Sequence, residues 1–164
     1  MKEPISCEKC KSKFGVFCWR HTCARCKAVL CSSCLGFNET TEFFCLVEGI
    51  SRNHSDGFCN NCSDEIRSLF SMSSQMKLWP NNYKGQIPVD VSKSNVKITT
   101  PYFRQRDNAV CAAQYIAYAK GFSVIYDVEY IKETDSEPGS GNGTHYFTVW
   151  KINCRAGYDV RQTV

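Results

Sequence analysis

The chain has 164 residues, 12 of them cysteine, and its 20 basic and 16 acidic side chains leave a net charge of +4. That length fits one ordinary domain or two small ones, and so small a charge singles out no polyanionic partner. No apolar run approaches the ~18 residues of a membrane-spanning helix, and the first residues lead into cysteines without an apolar leader, so neither a signal peptide nor a membrane span is expected.

Taken in order, the chain first presents one short unit four times: Cys7-x2-Cys10, Cys23-x2-Cys26, Cys31-x2-Cys34 and Cys59-x2-Cys62. A Cys-x2-Cys turn aims two thiolates at one point, and two such turns close the tetrahedron of a structural Zn²⁺. The eight cysteines therefore predict two structural zincs, with no open coordination position for catalysis. Four identical spacings in one region are foreign to disulfide scaffolds. The spacing leaves open whether neighbouring or alternating pairs share a metal. With so little apolar residue to bury, the stretch draws much of its folding free energy from metal, on the order of 10 kcal/mol per site.

Charge is unevenly spread. Between residues 7 and 34 the bases Lys9, Lys11, Lys13, Arg20, Arg25 and Lys27 face the single acid Glu8, whereas residues 35–70 hold six acids and two bases. An anionic surface is the natural partner of the first half.

The ligand spacing and the residues between the ligands, Phe14-Gly-Val16-Phe17-Cys18-Trp19-Arg20-His21-Thr22-Cys23, resemble the FYVE zinc finger over residues 6–71. The resemblance implies a cross-brace, with the first and third pairs on one zinc and the second and fourth on the other. It also implies binding of phosphatidylinositol 3-phosphate at endosomal membranes. Arg20, His21, Arg25 and Lys27 become candidate head-group contacts, and Val16 and Phe17 become a turret entering the bilayer interface. Phe14 is read as packing over the metal sites, with the same packing an alternative for Trp19. The sequence departs from the family pattern: no Trp precedes Cys7, the basic element keeps only Arg20 and His21, and Gly57-Phe58 stands before Cys59 where the family has an Arg. A phosphomonoester wants several converging charged donors, so weak or altered phosphoinositide binding is expected.

The acidic insertion between Cys34 and Cys59 predicts a strand over 42–49, as part of an extra hairpin. Cys18, Cys45 and His54 are surplus donors with structural roles. A RING-type register through Cys18-x2-His21 would leave Cys59 and Cys62 without a purpose. Ser63 is the expected cap of a helix over 64–70.

Residues 72–94, rich in Ser, Asn and Pro, read as a linker, with Trp79 and Tyr83 tacking it down. Residues 95–164 read as a small α+β domain, β-α-β-β with an antiparallel sheet. The pattern predicts a strand over 96–103, then a helix over 109–120. Asp107 or Asn108 caps that helix, Val110, Ala113, Ile116 and Tyr118 or Ala119 form its buried face, and Gly121 stops it. Alternation predicts a strand over 122–130 with Phe122, Val124, Tyr126, Val128 and Tyr130 on one face, and another over 146–154. A mobile loop is expected over 132–143.

A thiol in the first turn of that helix, Cys111, with His145 suggests a cysteine hydrolase as a minor alternative. A single Cys on an Ala-rich face is more often a small buried residue, and the chain is read as non-enzymatic. The strands hold few Lys or Arg to steer a nucleic-acid backbone, so no nucleic-acid partner is expected. The functional expectation is a cytoplasmic zinc-finger adaptor, peripheral on endosomal or other cytosol-facing membranes, which presents its second domain to a protein partner. The alternative is a protein-interaction finger without lipid binding, possibly a RING-like ubiquitin ligase.

Overall fold

The computed structural model describes residues 4–36, 41–50, 57–90 and 92–162, and the chain divides into two compact units, Met1–Ser68 and Leu69–Val164. His54 lies outside the described residues.

The first unit is built from very short elements. Strands β1 (Arg20–Thr22) and β2 (Val29–Cys31) pair antiparallel, with Arg20 opposite Cys31. A 3-10 turn at Ser32–Cys34 leads into β3 (Leu35–Gly36), which pairs antiparallel with β4 (Phe58–Cys59). Leu30, Leu35, Phe44, Phe58 and Ile66 are the large buried apolar side chains around the cysteines. That is too little apolar surface to hold such a unit without a metal staple.

The run expected as a strand over 42–49 is instead helix α1 (Thr41–Val47). Its stop is chemically explicit. Gly49, at φ +65°, donates to Leu46 O at 3.3 Å, and Ile50 donates to Cys45 O at 2.8 Å, the Schellman pattern. Helix α2 (Asn60–Ser73) starts earlier than expected, so Ser63 is a buried residue inside it and not its cap. At its start the sulfur of Cys59 accepts from Cys62 N at 3.5 Å, the bond a capping oxygen would otherwise make. The boundary between the two units falls within this helix, and α2 runs on to Ser73, so the linker is shorter than the sequence implied.

The second unit is a four-stranded sheet in the order β5-β7-β8-β6: β5 (Lys77–Pro80), β6 (Val96–Thr99), β7 (Val124–Pro138) and β8 (Thr144–Gly157). Residues 77–80, expected in the linker, form an edge strand parallel to β7, which makes the sheet mixed and not antiparallel throughout. Pro80 is tolerated because an edge strand offers one side of its backbone to no neighbour. Trp79 and Tyr83 pack with their rings tilted, 4.7 Å between centroids.

Helix α3 (Arg106–Ala119) packs against β8, β7 and β6. Gln105 stands at its N-cap without a side-chain bond, while Asp107, an expected cap, sits in the first turn, where a carboxylate favours the helix dipole. Its end is as expected: Gly121 (φ +84°) donates to Tyr118 O and Phe122 to Ala117 O. The buried face differs from the predicted one. Ala109, Ala112, Ala113, Tyr115 and Ala117 are buried, with Gln114 Nε2 donating to Met76 O, while Val110, Ile116 and Tyr118 are half-buried and Ala119 is exposed. Small side chains let the helix lie close to the strands, which outweighs the larger apolar residues one turn-face away.

The alternation along β7 breaks at a bulge. Tyr126 pairs with Arg155 and Glu129 with Asn153, so Asp127 and Val128 together oppose Cys154, and Asp127 takes φ +51°. Val124, Ile125, Tyr126 and Val128 are all buried, whereas Tyr130 is exposed. The expected loop over 132–143 is mostly strand. The β7–β8 ladder continues to Pro138 and Thr144, and the connection closes with Gly139 N donating to Gly143 O.

Candidate metal centre

Two groups of four sulfurs assemble in the first unit: Cys7, Cys10, Cys31 and Cys34, and Cys23, Cys26, Cys59 and Cys62, each with its sulfurs within 4.8 Å of one another. The pairs alternate, which is the cross-brace. All twelve cysteines are free thiols. Cys10 and Cys31 sulfurs lie 3.6 Å apart and Cys26 and Cys59 sulfurs 3.8 Å apart. A tetrahedron with metal–sulfur bonds of about 2.3 Å has edges of about 3.8 Å, so each tetrad can hold one metal ion, and four thiol donors without a free position are the set that structural zinc takes.

The first two ligand pairs are built alike from Cys7-Glu-Lys-Cys10-Lys11-Ser12 and Cys23-Ala-Arg-Cys26-Lys27-Ala28. The first cysteine's N–H donates to Ser12 O (2.8 Å) in one and Ala28 O (2.9 Å) in the other. Lys11 N returns to Cys7 O and Lys27 N to Cys23 O, and both lysines take φ 63°. Each lysine ammonium then bonds back to the carbonyl of Glu8 (2.8 Å) or Ala24 (2.7 Å). The left-handed lysine turns the chain tightly enough to point both sulfurs inward. Backbone donors also reach the sulfurs, with Cys59 N 3.3 Å from Cys23 Sγ.

Crowding four thiols splits their acidities. Cys10, half-circled by Ser12 donors, is lowered to about 6, whereas burial, with neighbouring thiols adding to it, pushes Cys34 up to about 12. A divalent cation at the centre reverses that logic and holds all four deprotonated.

The other predicted residues are dispersed. Cys18 and His21 belong to neither tetrad, so the RING register does not form, and Cys45 is buried within α1. His21 Nε2 lies 2.9 Å from Ser32 Oγ. Arg25 is held by Glu48 at 3.3 Å and Glu65 at 2.9 Å, and Lys27 by its own turn. Arg20 lies over the Phe14 ring at 5.8 Å. The four candidate head-group contacts are thus not gathered into one pocket by any contact described, and each makes a contact within the finger. Sequence alone could not reveal this, because the acidic partners of Arg25 are remote along the chain.

Val16 and Phe17 occupy the tip of a two-residue turn closed by Gly15 and Cys18, each donating to the other's carbonyl. Phe17 is 99% exposed and Val16 81%. Phe14, expected over a metal site, is half-buried, whereas Trp19 is 70% exposed.

In the second unit Cys111 lies in the second turn of α3, not the first, and its thiol is raised by burial and by Asp107. His145 is exposed on β8, its Nδ1 3.5 Å from Glu137. Among the described residues no helix is long and apolar enough to cross a membrane.

The fold and site define a cross-braced module of two cysteine tetrads, each able to hold a metal ion, and a small α+β unit. Comparisons with protein-family models, curated proteins and solved structures return no match to this chain.

Proposed function

We propose that the finger is a peripheral membrane-docking module of FYVE-like type and that the chain acts as a non-enzymatic adaptor, its second unit serving a protein partner. The observation that carries this reading is the fully exposed Phe17 beside Val16 at the tip of a closed turn, with Trp19 also exposed nearby in sequence. Adjacent exposed apolar side chains rimmed by polar residues are the kind of patch that another surface covers. Lys9, Lys11, Lys13 and Arg20 flank the tip in sequence, and shallow apolar insertion with basic neighbours makes a two-term anchor for an anionic leaflet. Because Arg25 and Lys27 are engaged internally, attraction by surface charge outweighs recognition of one phosphoinositide head group. Endosomal or other cytosol-facing membranes are the setting this reading implies.

The test is co-sedimentation of the full chain, metal-loaded, with vesicles of neutral lipid, of phosphatidylserine, and of phosphatidylinositol 3-phosphate at matched surface charge. Binding to both anionic preparations, abolished by Phe17→Asp and weakened by Arg20→Ala, is the expected result. A wild-type chain that ignores every vesicle overturns the reading.

A further inference from the structure

Beyond Pro80 and Thr99 the sheet narrows to a two-stranded ribbon, with Phe103 adding one bridge to Trp150. Tyr130 opposes Ile152, Lys132 opposes Trp150, Thr134 opposes Thr148 and Ser136 opposes Tyr146. These even-numbered residues share the face of the fully buried Ile152, since opposed residues and every second residue lie on one side of a sheet. The odd-numbered face carries Glu133, Asp135 and Glu137, opposite Val149, Phe147 and His145.

The ribbon therefore sorts its charge. Every carboxylate of residues 130–138 lies on one face, where Tyr102 bonds Glu133 and Arg104 and His145 pair with Glu137. The other face has three rings, Tyr130, Trp150 and Tyr146, with the side chains of Lys132, Thr134, Ser136 and Thr148 between them. Tyr146 is 69% exposed. Lys132 Nζ stands 5.7 Å from the Trp150 ring centroid, and α3 brings Arg106 to 5.5 Å from that of Tyr130. Asp107, 4.0 Å from Arg106, is the carboxylate that trims this positive field. Counting Lys and Arg along the strands misses this arrangement, because Arg106 comes from the helix and the acids sit on the far side.

We propose that the even-numbered face of this ribbon binds single-stranded nucleic acid. The exposed Tyr130 and Tyr146 accept stacked bases of any sequence, the half-buried Trp150 lies between them, and the interleaved cations meet the phosphates. Opposed pairs recur along the ribbon at about 7 Å, so the rings form an extended track and not one closed pocket. Two cations give a modest salt dependence, a log–log slope of about −1.4. This inference concerns the second unit and stands apart from the membrane reading.

The test is fluorescence anisotropy of a labelled oligothymidylate titrated with the metal-loaded full chain, beside a duplex of the same length. Tyr146→Ala is expected to weaken binding about fivefold to a hundredfold. Lys132→Glu should weaken it and reduce the salt slope by about 0.7. Lys151→Glu on the opposite face and Phe17→Asp in the finger should leave the affinity unchanged, and thermal melts of the variants check that each is folded. The proposal is overturned if the single strand does not bind, if duplex is preferred, or if folded Tyr146→Ala and Lys132→Glu bind as tightly as wild type.

Discussion

Arg161 grips Asp159 with a two-pronged fork, Nε to Oδ1 at 2.9 Å and Nη2 to Oδ2 at 2.7 Å, while its own backbone N–H donates to Oδ1 at 2.9 Å. The Asp159 side chain is 0% exposed, Lys77 of β5 approaches it to 3.6 Å, and Asp159 N donates to Ser123 Oγ. One buried carboxylate thus ties the C-terminal segment to the start of the sheet. Charge-assisted bonds from Arg161 hold its carboxyl pKa well below the usual carboxylate range, against the opposing effect of burial.

Asp159→Asn should cost about 2–3 kcal/mol at neutral pH, because it removes the anion while its donors stay in place. The sign of the pH effect follows from the depressed folded value. The unfolded carboxyl titrates near 3.8, so the contribution is complete above about pH 5 and is lost as pH falls from there toward the folded value. Amide exchange of β7 and β8 in the full chain, followed by mass spectrometry between pH 6 and acid conditions, checks this. Wild type should lose protection on acidification, while Asp159→Asn starts lower and falls less. Parallel curves for the two proteins contradict the assignment.

The alternating arrangement of ligand pairs makes a spectroscopic prediction that survives weakened folding. With Co²⁺ in place of zinc, Cys7→His/Cys31→His should give one site of two sulfurs and two nitrogens beside one intact four-sulfur site. If neighbouring pairs shared a metal, the same protein would show two equivalent sites of three sulfurs and one nitrogen. Removing metal with a strong chelator should unfold the first unit, since metal supplies folding free energy on the order of 10 kcal/mol per site. Secondary structure in residues 4–68 that persists without metal would be the contrary result.

The ligands were readable because a metal site repeats a local chemical unit, and both Schellman stops were readable in principle because Gly49 and Gly121 advertise them. Gly121 gave the end of α3, whereas the Phe-Phe-Cys-Leu-Val run before Gly49 suited a strand as well as one short helix. What escaped depended on distant partners. Strand β5 exists because β7 lies parallel to it, and Lys77-Leu78-Trp79-Pro80 alone carries no sign of that pairing. The strand over 146–154 was legible, but its partner stretch 132–138 escaped because its side chains are mostly exposed and so lack the apolar alternation that marks a half-buried strand. Arg25 looked available to a lipid until Glu48 and Glu65 were brought beside it.

Cys111 offers a check on the non-enzymatic reading. Burial and the nearby Asp107 raise its thiol, which lowers the thiolate fraction at neutral pH and with it the rate of alkylation. In metal-loaded protein, iodoacetamide should modify Cys111 more slowly than it modifies free cysteine at the same pH. A rate above that of free cysteine would instead mark an activated nucleophile and reopen hydrolase chemistry with His145.

Asp127 shows how the bulge in β7 can be tested through one side chain. Its φ of +51° is a left-handed conformation, tolerated by Asp better than by most residues and by Gly best of all. Its carboxylate lies 3.3 Å from Arg155 Nε, but with the Asp side chain about half exposed that pair contributes little. Backbone conformation should therefore decide the outcome of substitution. Asp127→Gly is expected to leave stability within about 0.5 kcal/mol of wild type, the lost ion pair and added chain freedom offsetting the relieved strain. Asp127→Val forces a β-branched residue into the same conformation and should cost about 1–3 kcal/mol. Equilibrium urea unfolding of the second unit's signal in the full chain measures both. Should Val prove as stable as Gly, the left-handed turn at this position is wrong, and with it the register that puts Tyr130, Lys132 and Tyr146 on one face.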